Sequence, residues 1–144
     1  MTREKLEQYS DLQKEIEEVK ERIKRTEKEI MQIEEEGTVK DKVTGGMGGL
    51  QSFQIEGFPY PRLSQKKTLL YSRKATLASL EYEVSETLNQ VESFIASIED
   101  SRMRRIITLR YVENLPWFKV ADKLGGGNTE DGVRMAFNRF MEKN

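Results

Sequence analysis

At 144 residues, with 36% hydrophobic and 34% charged side chains, the chain has room for one small domain and an extended element but not for a large globular core. It contains no Cys and no His, which excludes disulfides, thiolate metal sites and cysteine nucleophiles and removes the commonest general base and metal ligand. The formal net charge of −1 hides a gradient: residues 1–36 hold eight Lys/Arg against twelve Asp/Glu, residues 37–99 seven of each, and residues 100–144 nine against six.

Basicity therefore gathers at the carboxy-terminal end, where a nucleic-acid partner would need it. The excess is small, so one copy should bind weakly and depend on avidity or a helper protein. No apolar run approaches the length of a membrane span, and Met1-Thr2-Arg3-Glu4 opens directly into a charged helical pattern rather than a signal peptide. A cytoplasmic protein without membrane contact is the expectation. Carboxylates abound, but on solvated helical faces with no pocket-forming sequence around them, so neither an enzyme nor a bound cofactor or metal is expected.

The first segment places apolar residues at alternating steps of three and four: Tyr9, Leu12, Ile16, Val19, Ile23, Thr26, Ile30 and Ile33. This is an a/d heptad pattern with one polar member, Thr26, and with Leu6 out of register. Such a helix cannot bury its stripe alone. The chain supplies a second stripe at Leu63, Leu70, Leu77, Val84, Val91 and Ile98, every seven residues, with Leu80 and Phe94 at the companion positions. Each segment runs for about 35 residues, roughly 50 Å of helix. Their equal lengths predict a long antiparallel helical hairpin, or coiled-coil arm, over residues 1–98. Pairing between two chains is the alternative. Both can hold, because Tyr82, Leu88 and Ile95 lie outside the seam, and a homodimer or higher homo-oligomer through the arm is expected.

Residues 37–62 form the tip of that hairpin. Phe53 and Ile55 alternate with Gln54 and Glu56 in strand-like fashion, and Val39 to Val43 does so weakly, so a small β-ribbon and a flexible turn both fit. Gly45-Gly46-Met47-Gly48-Gly49 is followed by no Gly-Lys-Ser/Thr, which argues against a phosphate loop. Phe53, Phe58 and Tyr60 either pack onto the helices or mark a protein-contact patch.

Residues 99–144 read as three short helices. Asp100 or Ser101 can cap the first, which buries Met103, Ile106, Ile107 and Leu109 and carries Arg102, Arg104, Arg105 and Arg110. Pro116 suits the first turn of the second, where Trp117, Val120, Ala121 and Leu124 form the apolar stripe. Leu124-Gly125-Gly126-Gly127-Asn128 must turn. Asn128 or Thr129 then caps the third helix, with Glu130 and Asp131 at its positive end. At 100° per residue, Val133, Ala136, Phe137, Phe140 and Met141 share one face, and Asp131, Arg134, Met135, Asn138, Arg139 and Glu142 the other. A short helix, a Gly-containing turn and an amphipathic helix make the helix-turn-helix pattern. Arg134 and Asn138, four apart, can contact guanine and adenine on adjacent turns, with Met135, Arg139 and Asp131 beside them. Arg104, Arg105, Lys119 and Lys123 are placed for phosphates. Polarity alone fits an ordinary solvated face equally well; the turn and the short helix before it favour DNA. Gly132 is a misfit inside a helix, costing about 1 kcal/mol relative to Ala, and allows close approach either to the preceding helix or to a phosphate.

The run Arg104-x-x-Ile107-x-x-Arg110-Tyr111-Val112-Glu113-Asn114-Leu115-Pro116-Trp117-Phe118-Lys119-Val120-Ala121-Asp122-Lys123-Leu124-Gly125 resembles the helix-turn-helix of region 4 of bacterial sigma factors. With Asn128-Thr129-Glu130-Asp131-Gly132-Val133-Arg134 opening the last helix, it looks most like phage and prophage proteins related to late transcriptional activators of the RinA and ArpU type. The likeness covers residues 98–144 and is weak before that. It implies promoter-type recognition of duplex DNA beside RNA polymerase in a bacterial host cell, and gives the DNA-facing role to Arg134, Asn138 and Arg139. The sequence departs from the pattern at Pro116, where such modules often have Ser, at Lys119, where an acidic residue is usual, and in a turn lengthened by glycine.

The expectation is thus an all-α protein with a helical hairpin, a small tip and a sigma-region-4-like helix-turn-helix, acting as a regulator of phage or prophage transcription. Two other functions suit the same parts: a small terminase-like DNA-packaging subunit, and a coiled-coil adaptor that contacts only protein.

Overall fold

The computed structural model describes residues 1–45 and 60–143. Among these the chain is all-helical, with no strand. The helices are α1 (Arg3–Gly45), α2 (Tyr60–Ser97), α3 (Ser101–Ile107), α4 (Trp117–Leu124) and α5 (Glu130–Lys143), with a π-helical turn over Thr108–Val112 extending α3. The first helix outruns the expected end at residue 36: a single Gly37 costs about 1 kcal/mol, and α1 continues through it to Gly45. The weakly strand-like residues 39–43 are accordingly helical, and the stretch from Phe53 to Ile55 lies outside the described residues. Pro61 falls in the first turn of α2, where its missing N–H costs no hydrogen bond.

The described residues form two compact units, Met1–Glu15 with Leu80–Asn144, and Ile16–Ser79. The boundary expected near residue 98 lies inside the first.

In the unit of residues 16–79, α1 and α2 pair in opposite directions. Glu36 meets Arg62 at 4.0 Å, Glu34 meets Lys67 at 3.6 Å, Glu29 meets Lys66, and Glu27 meets Lys74 at 3.9 Å, so the later residues of α1 lie against the start of α2 and the earlier ones against residues further along it. Lys66 draws the Glu29 carboxyl below its ordinary value, chiefly by hydrogen bonding to it. Such surface pairs, three of the four exposed and Glu29–Lys66 half-buried, stabilise little; the apolar seam of Ile30, Ile33 and Leu63, with Leu70 against it, contributes more. Thr26, the polar member of the stripe, is fully buried. Its hydroxyl donates to the Arg22 carbonyl at 2.9 Å and accepts from Arg73 Nη1 of α2 at 2.6 Å, so this buried hydroxyl is satisfied within the seam.

In the other unit, three short helices close around one core. Met103, Ile106 and Ile107 of α3, Val120 and Ala121 of α4, and Val133 and Phe137 of α5 are all buried. Leu6 and Tyr9 of α1, Val91 of α2 and Ile98 join the same cluster. Leu6, out of step with the heptads, is completely buried here. Its burial belongs to this shared core.

Candidate functional site

Each bend between the short helices has a local cause. Asp100 caps α3 by accepting from the Arg102 N–H at 3.1 Å. After the π-helical turn the chain reverses at Asn114, whose φ of 59° is a left-handed conformation that Asn tolerates better than most residues. Ser10 of α1 donates to Asn114 Oδ1 at 2.6 Å, and Gln13 donates to the Tyr111 carbonyl at 3.2 Å. Pro116 stands at the N-cap of α4, just ahead of its expected place in the first turn. It has no side-chain acceptor to offer the helix; its carbonyl accepts from Lys119 and Val120 at 3.0 and 3.1 Å.

Gly125, Gly126 and Gly127 all have positive φ, at 67°, 59° and 78°. Three consecutive left-handed residues reverse the chain between α4 and α5 without the steric cost a side chain would add there. Arg102 donates to Asn128 Oδ1 at 2.8 Å, which ties α3 to this turn. Thr129, of the two candidate caps, accepts from the Gly132 N–H at 3.0 Å.

That cap accounts for the misfit glycine. A Cβ on Gly132 would lie 2.9 Å from Thr129 Oγ1, so the close approach is to the cap of its own helix. Thr129→Ala is expected to lower the unfolding free energy by about 1 kcal/mol. Gly132→Ala alone should be nearly neutral, because its gain in helix propensity is offset by the disturbed cap; in the Thr129→Ala background it should stabilise by about 1 kcal/mol. Urea titration of the four proteins measures the coupling, and simple additivity would refute this account.

An aromatic group sets the position of α5. The rings of Tyr111 and Trp117 each lie 5.4 Å from the Phe137 ring, and Phe140 lies 6.5 Å from Phe94. Arg110 rests 4.8 Å above Trp117 and donates to the Leu115 carbonyl at 3.1 Å, so its charge is used inside the fold. Burial raises the Tyr111 hydroxyl above its usual value.

The outward residues fall into two groups. Asp131, Arg134, Met135 and Arg139 of α5 are exposed, as are Lys119 and Lys123 of α4 and Arg105 of α3. Arg134 is paired with Asp131 at 2.6 Å, an exposed bond of the kind worth at most about 1 kcal/mol and so cheaply exchanged for another partner. Two residues expected outside are placed otherwise. Asn138 is half-buried in a recess shared with Met1, Thr2, Arg3 and Glu4, and its Oδ1, shielded from solvent, has no hydrogen-bond partner among the described residues. Residues 1–4 line that recess beside α5, which residues 100–144 alone could not reveal. Arg104 donates to the carbonyls of Ile98 and Glu99, just beyond the end of α2, and is committed there instead of to a phosphate. Arg105 makes one long bond, 3.4 Å, to the Lys123 carbonyl. The structural ties from Arg102, Arg110, Ser10 and Gln13 carry no signal in the sequence, since each depends on a neighbour brought close only by folding.

Among the described residues no group of three or more Asp, Glu, His or Cys is arranged to hold a metal ion, and no helix is long and apolar enough to cross a membrane. No protein-family model, curated protein or solved structure matches the chain.

Proposed function

We propose that the protein binds duplex DNA through α4 and α5, used as a helix-turn-helix with α5 as the recognition helix. The observation that carries this reading is the division of the two helices. Their apolar sides, Val120, Ala121, Val133 and Phe137, are buried in one core, while Arg134, Met135 and Arg139 of α5 and Lys119 and Lys123 of α4 stay exposed. An amphipathic helix held at a sharp glycine turn, with guanidinium groups outward and lysines on the neighbouring helix, suits base edges in the major groove with phosphates alongside. Arg134, Met135, Arg139 and Asp131 are the groove-side residues, Lys119, Lys123 and Arg105 the backbone-side ones. Asn138 would join the groove only if the amino terminus moved aside.

More particularly, we infer a sequence-selective transcriptional regulator of phage or prophage genes, sigma-region-4-like in its recognition module and working as a homo-oligomer beside RNA polymerase. The likeness of residues 104–134 to that module supports this step.

Selection of genomic fragments by the purified protein, followed by retention assays at several salt concentrations, tests both steps. Lys119→Ala and Lys123→Ala should each flatten the dependence of log K on log salt by about 0.9 and weaken all sequences alike. Arg134→Ala should cost about 1–3 kcal/mol on the selected site and relax the choice of base. Retention insensitive to salt, or unchanged in Arg134→Ala/Arg139→Ala, would refute DNA binding and leave a protein-only adaptor. Binding without sequence preference by a ring-sized assembly would instead identify a packaging subunit.

A further inference from the structure

The end of α2, the helix α3, its π-helical turn and α4 border a groove of about 490 Å³. Its floor is Ile95, Thr108 and Leu109, all half-buried, and its rim is Ser101, Arg105 and Lys123, all exposed. Arg104 completes the wall, held by its bonds to the carbonyls of Ile98 and Glu99. All of these residues belong to one compact unit. Ile95 and Leu109 rest on the buried core on one side and face the groove on the other, so folding fixes the floor.

The rim is charged in one sense only. Three of the seven lining residues are basic and none is acidic. Arg105 Nη2 donates to the Lys123 carbonyl at 3.4 Å, which keeps the two residues together, and among the described residues neither is paired with a carboxylate. Elsewhere the chain sets glutamates against its cations, as at Lys66, Lys67 and Lys74. Two adjacent unpaired cations repel one another, and an anion between them removes that cost. A bare phosphate would answer the charges but leave Ile95 and Leu109 facing water. A docked peptide helix needs a run of apolar anchor sites one turn apart, more floor than two apolar side chains offer. A small molecule with one carboxylate and one apolar tail matches both parts. The volume lies within the range of about 300–1,000 Å³ common for such ligands, and a guanidinium can hold a carboxylate by two parallel N–H bonds.

We propose that this groove is a binding site for a small amphipathic carboxylate. The tail lies on Ile95, Thr108 and Leu109, and the head sits between Arg105 and Lys123. Those two residues also serve the DNA backbone in the proposed function, so ligand and duplex compete for the same cations. An occupied groove then weakens DNA binding. This regulatory step rests on the proposed function; binding of the carboxylate does not.

Sodium octanoate, kept below the concentration at which it forms micelles, is the test ligand, with hexanoate and neutral 1-octanol as comparisons. Added to the full-length, isotope-labelled protein, it should saturably shift the amide signals of Ile95, Arg105, Thr108, Leu109 and Lys123. Hexanoate should bind about two- to fourfold more weakly per methylene lost, and 1-octanol about tenfold more weakly for want of a charged head. Arg105→Ala and Lys123→Ala should each weaken octanoate about two- to fivefold while leaving 1-octanol unchanged. Ile95→Gln should weaken both ligands, and DNA held by that variant should resist octanoate concentrations that release it from the parent. The shift map is made on the parent, so it decides the site even where Ile95→Gln fails to fold. Shifts that never saturate or that scatter over the chain, equal binding of octanoate and 1-octanol, or octanoate binding unchanged in Arg105→Ala/Lys123→Ala would each overturn the site. Saturable binding that leaves DNA retention intact would overturn the regulatory step alone. A parent protein that never binds DNA would refute the proposed function, while the groove is still judged by the shifts.

Discussion

A fragment of residues 99–144, expressed alone, is expected to be helical in part but not cooperatively folded. The core beneath α3, α4 and α5 is not contained within those residues: Leu6 and Val91 are completely buried in it, and Tyr9 and Ile98 are only 4% and 6% exposed. Cutting the chain at residue 99 removes all four and uncovers Ile106, Ile107 and Phe137. Each large apolar side chain buried contributes about 1.5–3 kcal/mol, against a total stability of about 5–15 kcal/mol for a natural domain, and 45-odd residues bury too little surface to spare that much. In the intact chain Leu6→Ala should cost about 2–5 kcal/mol, as for other buried leucines. Urea unfolding and amide chemical-shift dispersion measure both effects. A fragment 99–144 as cooperative and as well dispersed as the same residues in the full protein would show that the amino-terminal helix merely rests on the module.

The two long helices were legible because heptad spacing is a one-dimensional signal: Ile16, Val19, Ile23, Ile30 and Ile33 are buried as their spacing requires. Thr26 was readable as a polar member of the stripe, but its partner was not. Arg73 lies 47 residues away and meets it only because the helices run antiparallel in one register. Leu6 stands outside the heptad pattern for a related reason, since the core it joins also contains Ile106 and Phe137 near the other end of the chain. The same distance in sequence hid the fate of Asn138 and Arg104. Both sit on polar faces by the helical wheel, yet one shares a recess with Met1–Glu4 and the other is drawn to the carbonyls of Ile98 and Glu99. What periodicity did place was the set whose surroundings are solvent: Arg134, Met135 and Arg139 on α5, and Lys119 and Lys123 on α4. Exposure needs no partner, so the sequence can specify it locally.

Phe137→Ala is expected to be the most damaging single change in α5. Its ring is wholly buried and is the shared neighbour of Tyr111 and Trp117, each 5.4 Å away. Removing it leaves a cavity between α3, α4 and α5 at a cost of about 3–5 kcal/mol, whereas Phe137→Leu, which refills most of the space, should cost about 1–2 kcal/mol. Trp117 would lose the ring against which it packs, and with it the surface on which Arg110 lies, so the damage extends to the start of α4. DNA retention should then fall with the folded fraction: weak for Phe137→Ala, recovering on moderate cooling, and near normal for Phe137→Leu. Arg139→Ala gives the contrasting result, with unfolding free energy within about 0.5 kcal/mol of the parent, as for an exposed side chain, but reduced retention at every temperature. Denaturant titration and retention measured on the same samples separate the two patterns. A Phe137→Ala protein that keeps full stability would remove the aromatic group as the support of α5, and an Arg139→Ala protein that loses stability and retention together would mean that its side chain serves the fold and not the DNA.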